Sequence, residues 1–170
     1  MTGFNISSRF FELTSDTTAL VSHEYKGVFN LTFNQKANTI NSVEILPVEK
    51  GLNSSLESLN GSVYYFNKGG FFEYNKSEQT FDINIPISNI TKEDIFSSGK
   101  MISINDEYLF MFSKNYVYKV QKNVFSDELV INKFFLGESV RKDVLGYENI
   151  NSIGSGKYLL GSTEGYLITD

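Results

Sequence analysis

Apolar positions in this chain come in dense pairs of short runs, each pair split by a polar turn, and the pairing occurs four times. Leu20-Val21-Ser22-His23-Glu24-Tyr25-Lys26-Gly27-Val28-Phe29 is echoed by Val63-Tyr64-Tyr65-Phe66-Asn67-Lys68-Gly69-Gly70-Phe71-Phe72. The same pattern returns from Tyr108 to Val117 and from Tyr158 to Leu167. The hinge residues Gly27, Gly70, Asn115 and Gly165 lie 43, 45 and 50 positions apart. Runs this short and this apolar read as strands covered on both faces rather than as half-solvated strands. A strand–turn–strand at this period is the mark of propeller blades.

Each unit resolves into four expected strands, A to D. Strand A is Phe10–Leu13, Leu56–Leu59, Met101–Ile104 and Ile150–Ile153, and strand B is the run before each hinge. Strand C is Val28–Phe33, Phe71–Tyr74, Tyr116–Val120 and Tyr166–Ile168. Strand D is Ile40–Leu46, Phe81–Ile85 and Val130–Phe135, with Pro47 and Pro86 marking two of its ends, where a missing donor does little harm. The hinge Gly and Asn residues are expected at positive φ. Thr91 is expected to cap a short helix running to Asp94, and Ser139 to Leu145 reads as a second helix stopped by Gly146.

The predicted fold is therefore all-β and β-propeller-like, with about four consecutive four-stranded antiparallel blades at 7–47, 53–87, 99–136 and 148–170. The last blade lacks its outer strand, so the chain reads as a partial ring of a larger propeller, truncated or completed by a second copy. Blades bury both faces against neighbours, which makes the two terminal faces candidates for a homodimer contact.

Composition narrows the function more than the fold. Tyr and Phe supply all the aromatics, Trp and Cys are absent, and the formal charge is −5. Without Cys there are no disulfides, thiolate metal sites or Cys nucleophiles. Scattered Lys and Arg in an acidic chain argue against a nucleic-acid surface. The first residues do not form a signal peptide, and no stretch approaches a membrane span.

Candidate chemistry is sparse. The single histidine, His23, stands beside Glu24 and could serve as a general base, although a hairpin residue is the simpler reading. Gly161-Ser162-Thr163-Glu164-Gly165 places Thr where a nucleophile elbow needs Ser. Gly154-Ser155-Gly156-Lys157 lacks the earlier Gly and the following Ser or Thr of a phosphate loop, and reads as a tight A–B turn. The acidic turns at Asn105-Asp106-Glu107 and Asp127-Glu128 lack calcium-loop spacing, so neither a metal nor a cofactor is expected. Six Asn-x-Ser/Thr triplets, from Asn5 to Asn89, carry little weight in a chain so rich in these residues. Most aromatics recur at repeat positions and so belong to the core; Tyr25 and Tyr147 are the exceptions, on loops.

His23-Glu24-Tyr25-Lys26-Gly27-Val28-Phe29, Asn67-Lys68-Gly69-Gly70-Phe71-Phe72-Glu73-Tyr74 and Leu160-Gly161-Ser162-Thr163-Glu164-Gly165-Tyr166 resemble blades of two-component regulator propellers. They are closer still to the sensor propeller of triple-tyrosine-motif regulators. Many members of that family carry Trp in strand B, where Leu20, Val63, Tyr108 and Tyr158 stand here. The resemblance implies a periplasmic or otherwise extracytoplasmic sensor of signal transduction, often toward glycans and without turnover. In such regulators the propeller precedes an immunoglobulin-like domain, a membrane span and a cytoplasmic signalling or DNA-binding module. The matching motifs are packing motifs, so no binding residue is carried over. By geometry alone, propeller sites gather at the axial mouth, where the D–A and B–C connections converge. In the first blade this selects Arg9, His23, Glu24 and Tyr25, for a neutral or weakly charged polar ligand such as an oligosaccharide. The alternatives are a propeller hydrolase or lyase using His23 with Glu24, and a protein–protein scaffold.

Overall fold

The structure, a computed structural model, describes residues 3–142 and 144–170, and of Ser97 the backbone alone. It is all-β, 55% strand, in four antiparallel sheets of three or four strands. Sheet one holds β1 (Phe10–Ser15), β2 (Thr18–His23), β3 (Gly27–Asn34) and β4 (Thr39–Ile45). Sheet two holds β5 (Ser55–Leu59), β6 (Ser62–Asn67), β7 (Gly70–Asn75) and β8 (Thr80–Ile83), followed by α1 (Ile85–Thr91). Sheet three holds β9 (Phe96–Ile104), β10 (Tyr108–Ser113), β11 (Tyr116–Lys122) and β12 (Leu129–Phe135), followed by α2 (Glu138–Arg141). Sheet four has three strands, β13 (Ile150–Gly154), β14 (Lys157–Ser162) and β15 (Gly165–Thr169). Strand order follows the sequence within every sheet, so each sheet is a simple meander.

Tight hairpins explain that order. In β5–β6 the two loop residues Asn60 and Gly61 have φ of 50° and 72°, and in β13–β14 Ser155 and Gly156 have 54° and 73°. Positive φ at both positions gives the hairpin turn whose twist matches the strands it joins. The Gly154–Lys157 segment is thus a hairpin turn.

The dense apolar runs are dense because alternate residues serve opposite faces. Tyr65 packs with Leu20, Val28 and Leu56 between sheets one and two, whereas its neighbour Tyr64 packs with Leu59, Phe71 and Met101 between sheets two and three. Along β10, Leu109 and Met111 join that second seam, while Phe110 and Phe112 join Ile150, Tyr158 and Leu160 in a third. The first strands of successive sheets lie side by side, β1 against β5, β5 against β9 and β9 against β13. Polar contacts hold them in place. Met101 N–H donates to Ser55 Oγ at 3.1 Å, and Asn60 N–H donates to the Asp106 carbonyl at 3.0 Å.

The two terminal faces differ. On sheet one, Val21, Phe29 and Leu31 are covered by Phe4 and Ile6 of the N-terminal segment, leaving Phe11, Leu13 and Ile45 exposed beside them. On sheet four, Ile153, Tyr166 and Ile168 are exposed.

Several local expectations are corrected. Thr91 ends a helix instead of starting one: Asn84 caps α1 by accepting from Ile87 N–H at 3.1 Å, Pro86 sits in its first turn, and the Thr91 hydroxyl bonds back to the Ile87 carbonyl. Pro86 therefore opens a helix, where its fixed φ fits, and strand D of sheet two stops at Ile83. The second helix covers Glu138–Arg141 and is ended by Lys142 in the left-handed region. Of the expected stretch from Ser139 to Leu145, Asp143 lies outside the described residues. Gly27, Gly70 and Gly165 have positive φ, but Asn115 does not: there the Ser113 hydroxyl accepts the Tyr116 N–H at 3.0 Å and closes the turn. Sheet three begins at Phe96, three residues before the expected start.

Candidate functional site

The turns β2–β3, β6–β7, β10–β11 and β14–β15 share one end of the molecule with the connections between sheets, and hydrogen bonds join the two sets. Phe71 N–H donates to Ser88 Oγ at 2.9 Å, Lys114 N–H to the Ile95 carbonyl at 2.7 Å, and Thr163 N–H to the Lys142 carbonyl at 3.0 Å. Arg141, fully buried at the foot of α2, donates to the carbonyls of Leu136 at 2.6 Å and Ser113 at 2.9 Å. A guanidinium is suited to this work because it carries five donors in a fixed fork. The turn end is thus a rigid platform built on the sheets.

Arg9, His23, Glu24 and Tyr25 come together on this platform, with Ser7 and Ser8, around a concavity of about 340 Å³. Arg9 reaches it from the segment entering β1, the other three from the end of β2 and its turn. The backbone N–H of Arg9 donates to the Ser22 carbonyl at 3.3 Å, which joins the two backbones, and Lys26 N–H donates to the His23 carbonyl at 3.2 Å, which closes the turn. Arg9 Nη1 donates to Glu24 Oε1 at 3.0 Å, and its guanidinium lies 5.2 Å from the centre of the Phe10 ring. Tyr25 N–H donates to His23 Nδ1 at 3.1 Å, and the two rings meet edge to face at 6.1 Å. The Tyr25 side chain is exposed.

Chemically, the Arg9–Glu24 pair cancels its own charge while still presenting donors and acceptors. Beside it stands an exposed aromatic ring. His23 has one ring nitrogen occupied by a backbone donor, and its neighbour Glu24 is held by Arg9 instead of by the imidazole. His23 and Glu24 are thus not paired as a base with an orienting carboxylate.

Two deeper cavities were not visible in the sequence. One of about 400 Å³ lies between sheets two and three, with the Phe66 and Phe96 rings tilted against each other, their centres 4.5 Å apart, and Asn67 to Gly70 along its rim. Its far side holds Asp94, which accepts from Lys133 Nζ at 2.7 Å and from the Tyr118 hydroxyl. Burial first, then the Asp94 carboxylate, pushes the Tyr118 phenol up to about 12. The other, about 390 Å³, lies between sheets three and four and is lined by Phe110, Lys119, Phe134 and Tyr158. Lys119 Nζ stands 4.1 Å from the Tyr108 ring centre and 4.8 Å from that of Tyr158.

On the first strands, Glu12 and Glu57 form a half-buried carboxylate pair. Burial, and next the Glu12 charge, raises Glu57 to about 7, with Lys100 opposing; burial likewise raises Glu12. The Gly161–Gly165 segment is the β14–β15 turn, closed by Glu164 N–H donating to Ser162 Oγ at 3.3 Å and tied to Lys142 through the Glu164 carboxylate. Among the described residues no three His, Cys, Asp or Glu side chains gather to hold a metal, and no helix is long and apolar enough to cross a membrane.

No protein-family model matches the chain, and no curated protein matches it.

Proposed function

We propose that the chain is a non-enzymatic, β-propeller-like ligand-sensing segment of a signalling protein. It acts outside the cytoplasm and binds a neutral polar ligand, such as an oligosaccharide, at the Arg9–His23–Glu24–Tyr25 concavity. Meander order in each sheet, first strands side by side and apolar seams between sheets support the propeller reading. The resemblance to two-component regulator propellers supports the sensing role.

One observation carries the ligand class: a self-neutralised Arg9–Glu24 pair beside the exposed Tyr25 ring. A sugar offers hydroxyls for the pair and a C–H face for the ring, whereas a free anion would compete with Glu24 for the guanidinium. The test is calorimetric titration of neutral and acidic oligosaccharides into the full-length protein and its Tyr25→Ala variant. A neutral oligosaccharide that binds the wild type and is lost in the variant is the expected result. Undiminished binding in the variant moves the site off this turn.

A second reading rests on the exposed Phe11, Leu13 and Ile45 of sheet one and Tyr166 and Ile168 of sheet four. These faces suit pairing with another copy. Light scattering that finds a monomer at all concentrations would remove it.

A further inference from the structure

We propose that the binding mouth extends from the first sheet to the fourth, with Tyr147 as a second aromatic wall, so that it takes an extended oligosaccharide rather than a single sugar. This deepens the proposed function and rests on it. The observation is the position of Arg9. One arm of its guanidinium meets Glu24 at 3.0 Å, and the other lies against Gly146, where a Cβ would stand only 2.8 Å from Nη2. Gly146 belongs to the connection that enters sheet four, and Arg9 to the segment that enters sheet one. One side chain therefore links the two ends of the described fold.

Tyr147 follows Gly146 directly. Its N–H donates to the Val144 carbonyl at 2.8 Å, closing a turn that leaves the side chain 78% exposed. It lines a second concavity of about 200 Å³ with Val144, Asn149, Gly161, Ser162 and Thr163. Like the first concavity, this one sets a tyrosine beside side-chain hydroxyls, those of Ser162 and Thr163, to which Asn149 adds an amide. The Lys142–Glu164 ion pair lies outside this lining, Glu164 directly following Thr163 in the same turn. Of the ten tyrosines, Tyr25, Tyr147 and Tyr166 are the exposed ones, and Tyr166 lies on the outer face of sheet four. Exposed aromatic rings forfeit burial, so two of them flanking one arginine have the composition of a recognition surface. Each ring can receive one sugar face, and the donors of Arg9 that are not committed to Glu24 can serve hydroxyls between them.

The experiment titrates neutral gluco-, xylo- and manno-oligosaccharides of one to six residues, with oligogalacturonate as the charged arm, into wild type, Tyr25→Ala, Tyr147→Ala and Tyr147→Phe. Far-UV circular dichroism confirms that each variant is folded. Affinity of the wild type should rise with chain length. Tyr147→Ala should weaken the longer chain about tenfold and leave the shortest bound chain unchanged, while Tyr147→Phe keeps both. If Tyr25→Ala loses binding and Tyr147→Ala loses none at any length, the site ends at the first sheet; the extended mouth then fails while the proposed function stands. If no oligosaccharide binds the wild type, both fail.

Discussion

The seams between sheets and the turn end that they support are built on different principles. In the seam between sheets two and three, Tyr64, Phe71, Met101, Leu109 and Tyr118 are all fully buried, and each has a counterpart at the matching position of another sheet. At the turn end little matches: the four turns read Glu24-Tyr25-Lys26, Lys68-Gly69, Lys114-Asn115 and Thr163-Glu164, with only Lys68 and Lys114 alike. Packing demands the same solution at every interface, so it repeats. The recognition role proposed above needs one asymmetric arrangement, and the residues assigned to it do not repeat, although the scaffold that holds them does.

Substitutions should separate the two regions sharply. Phe71→Ala empties a fully buried site in the second seam and should cost about 3–5 kcal/mol, read from chemical denaturation midpoints at constant slope. Gly99→Ala comes next. Gly99 has φ of 68°, and a Cβ there would lie 1.5 Å from the Asn53 carbonyl oxygen, so β9 and the connection entering β5 would have to part. A loss on the order of 3 kcal/mol is expected from strain of this kind.

Smaller, and dependent on pH, is the effect of Glu57. Its folded value of about 7 exceeds the ordinary 4.5, so the folded state holds this proton more tightly than the unfolded chain does. Stability from this group is complete below pH 4.5, declines as pH rises to about 7, and is then gone. Glu57→Gln should therefore be more stable than wild type at pH 8, by about 1 kcal/mol once solvent screening of this half-buried group is allowed for. At pH 4 the advantage should vanish, as melting temperatures across that range would reveal.

What the sequence reveals follows the same division. Alternation of Tyr64 with Tyr65, and of Leu109 with Phe110, is local and periodic, so strands and seams can be read from it. The Arg9–Glu24 pair lies within one hairpin and its approach, which is why these residues could be grouped in advance. Asn84 was hidden because Pro86 also fits the end of a strand, and only the Ile87 N–H bond decides for a helix. Arg141 carries no outward sign that it is buried among carbonyls, since charged residues usually stay in water. The approach of Arg9 to Gly146 joins opposite ends of the chain through tertiary geometry, which no periodicity encodes.

The smallest expected stability change belongs to the residue with the largest expected effect on binding, and that pairing is the most direct test. Tyr25 is exposed on the turn, so Tyr25→Ala should leave the denaturation midpoint within about 0.5 kcal/mol of wild type. On the same protein sample, calorimetric titration should find oligosaccharide binding reduced about tenfold or more. A variant that loses stability and binding together would make Tyr25 part of the scaffold. A variant that keeps both would leave the turn end without the recognition role assigned to it.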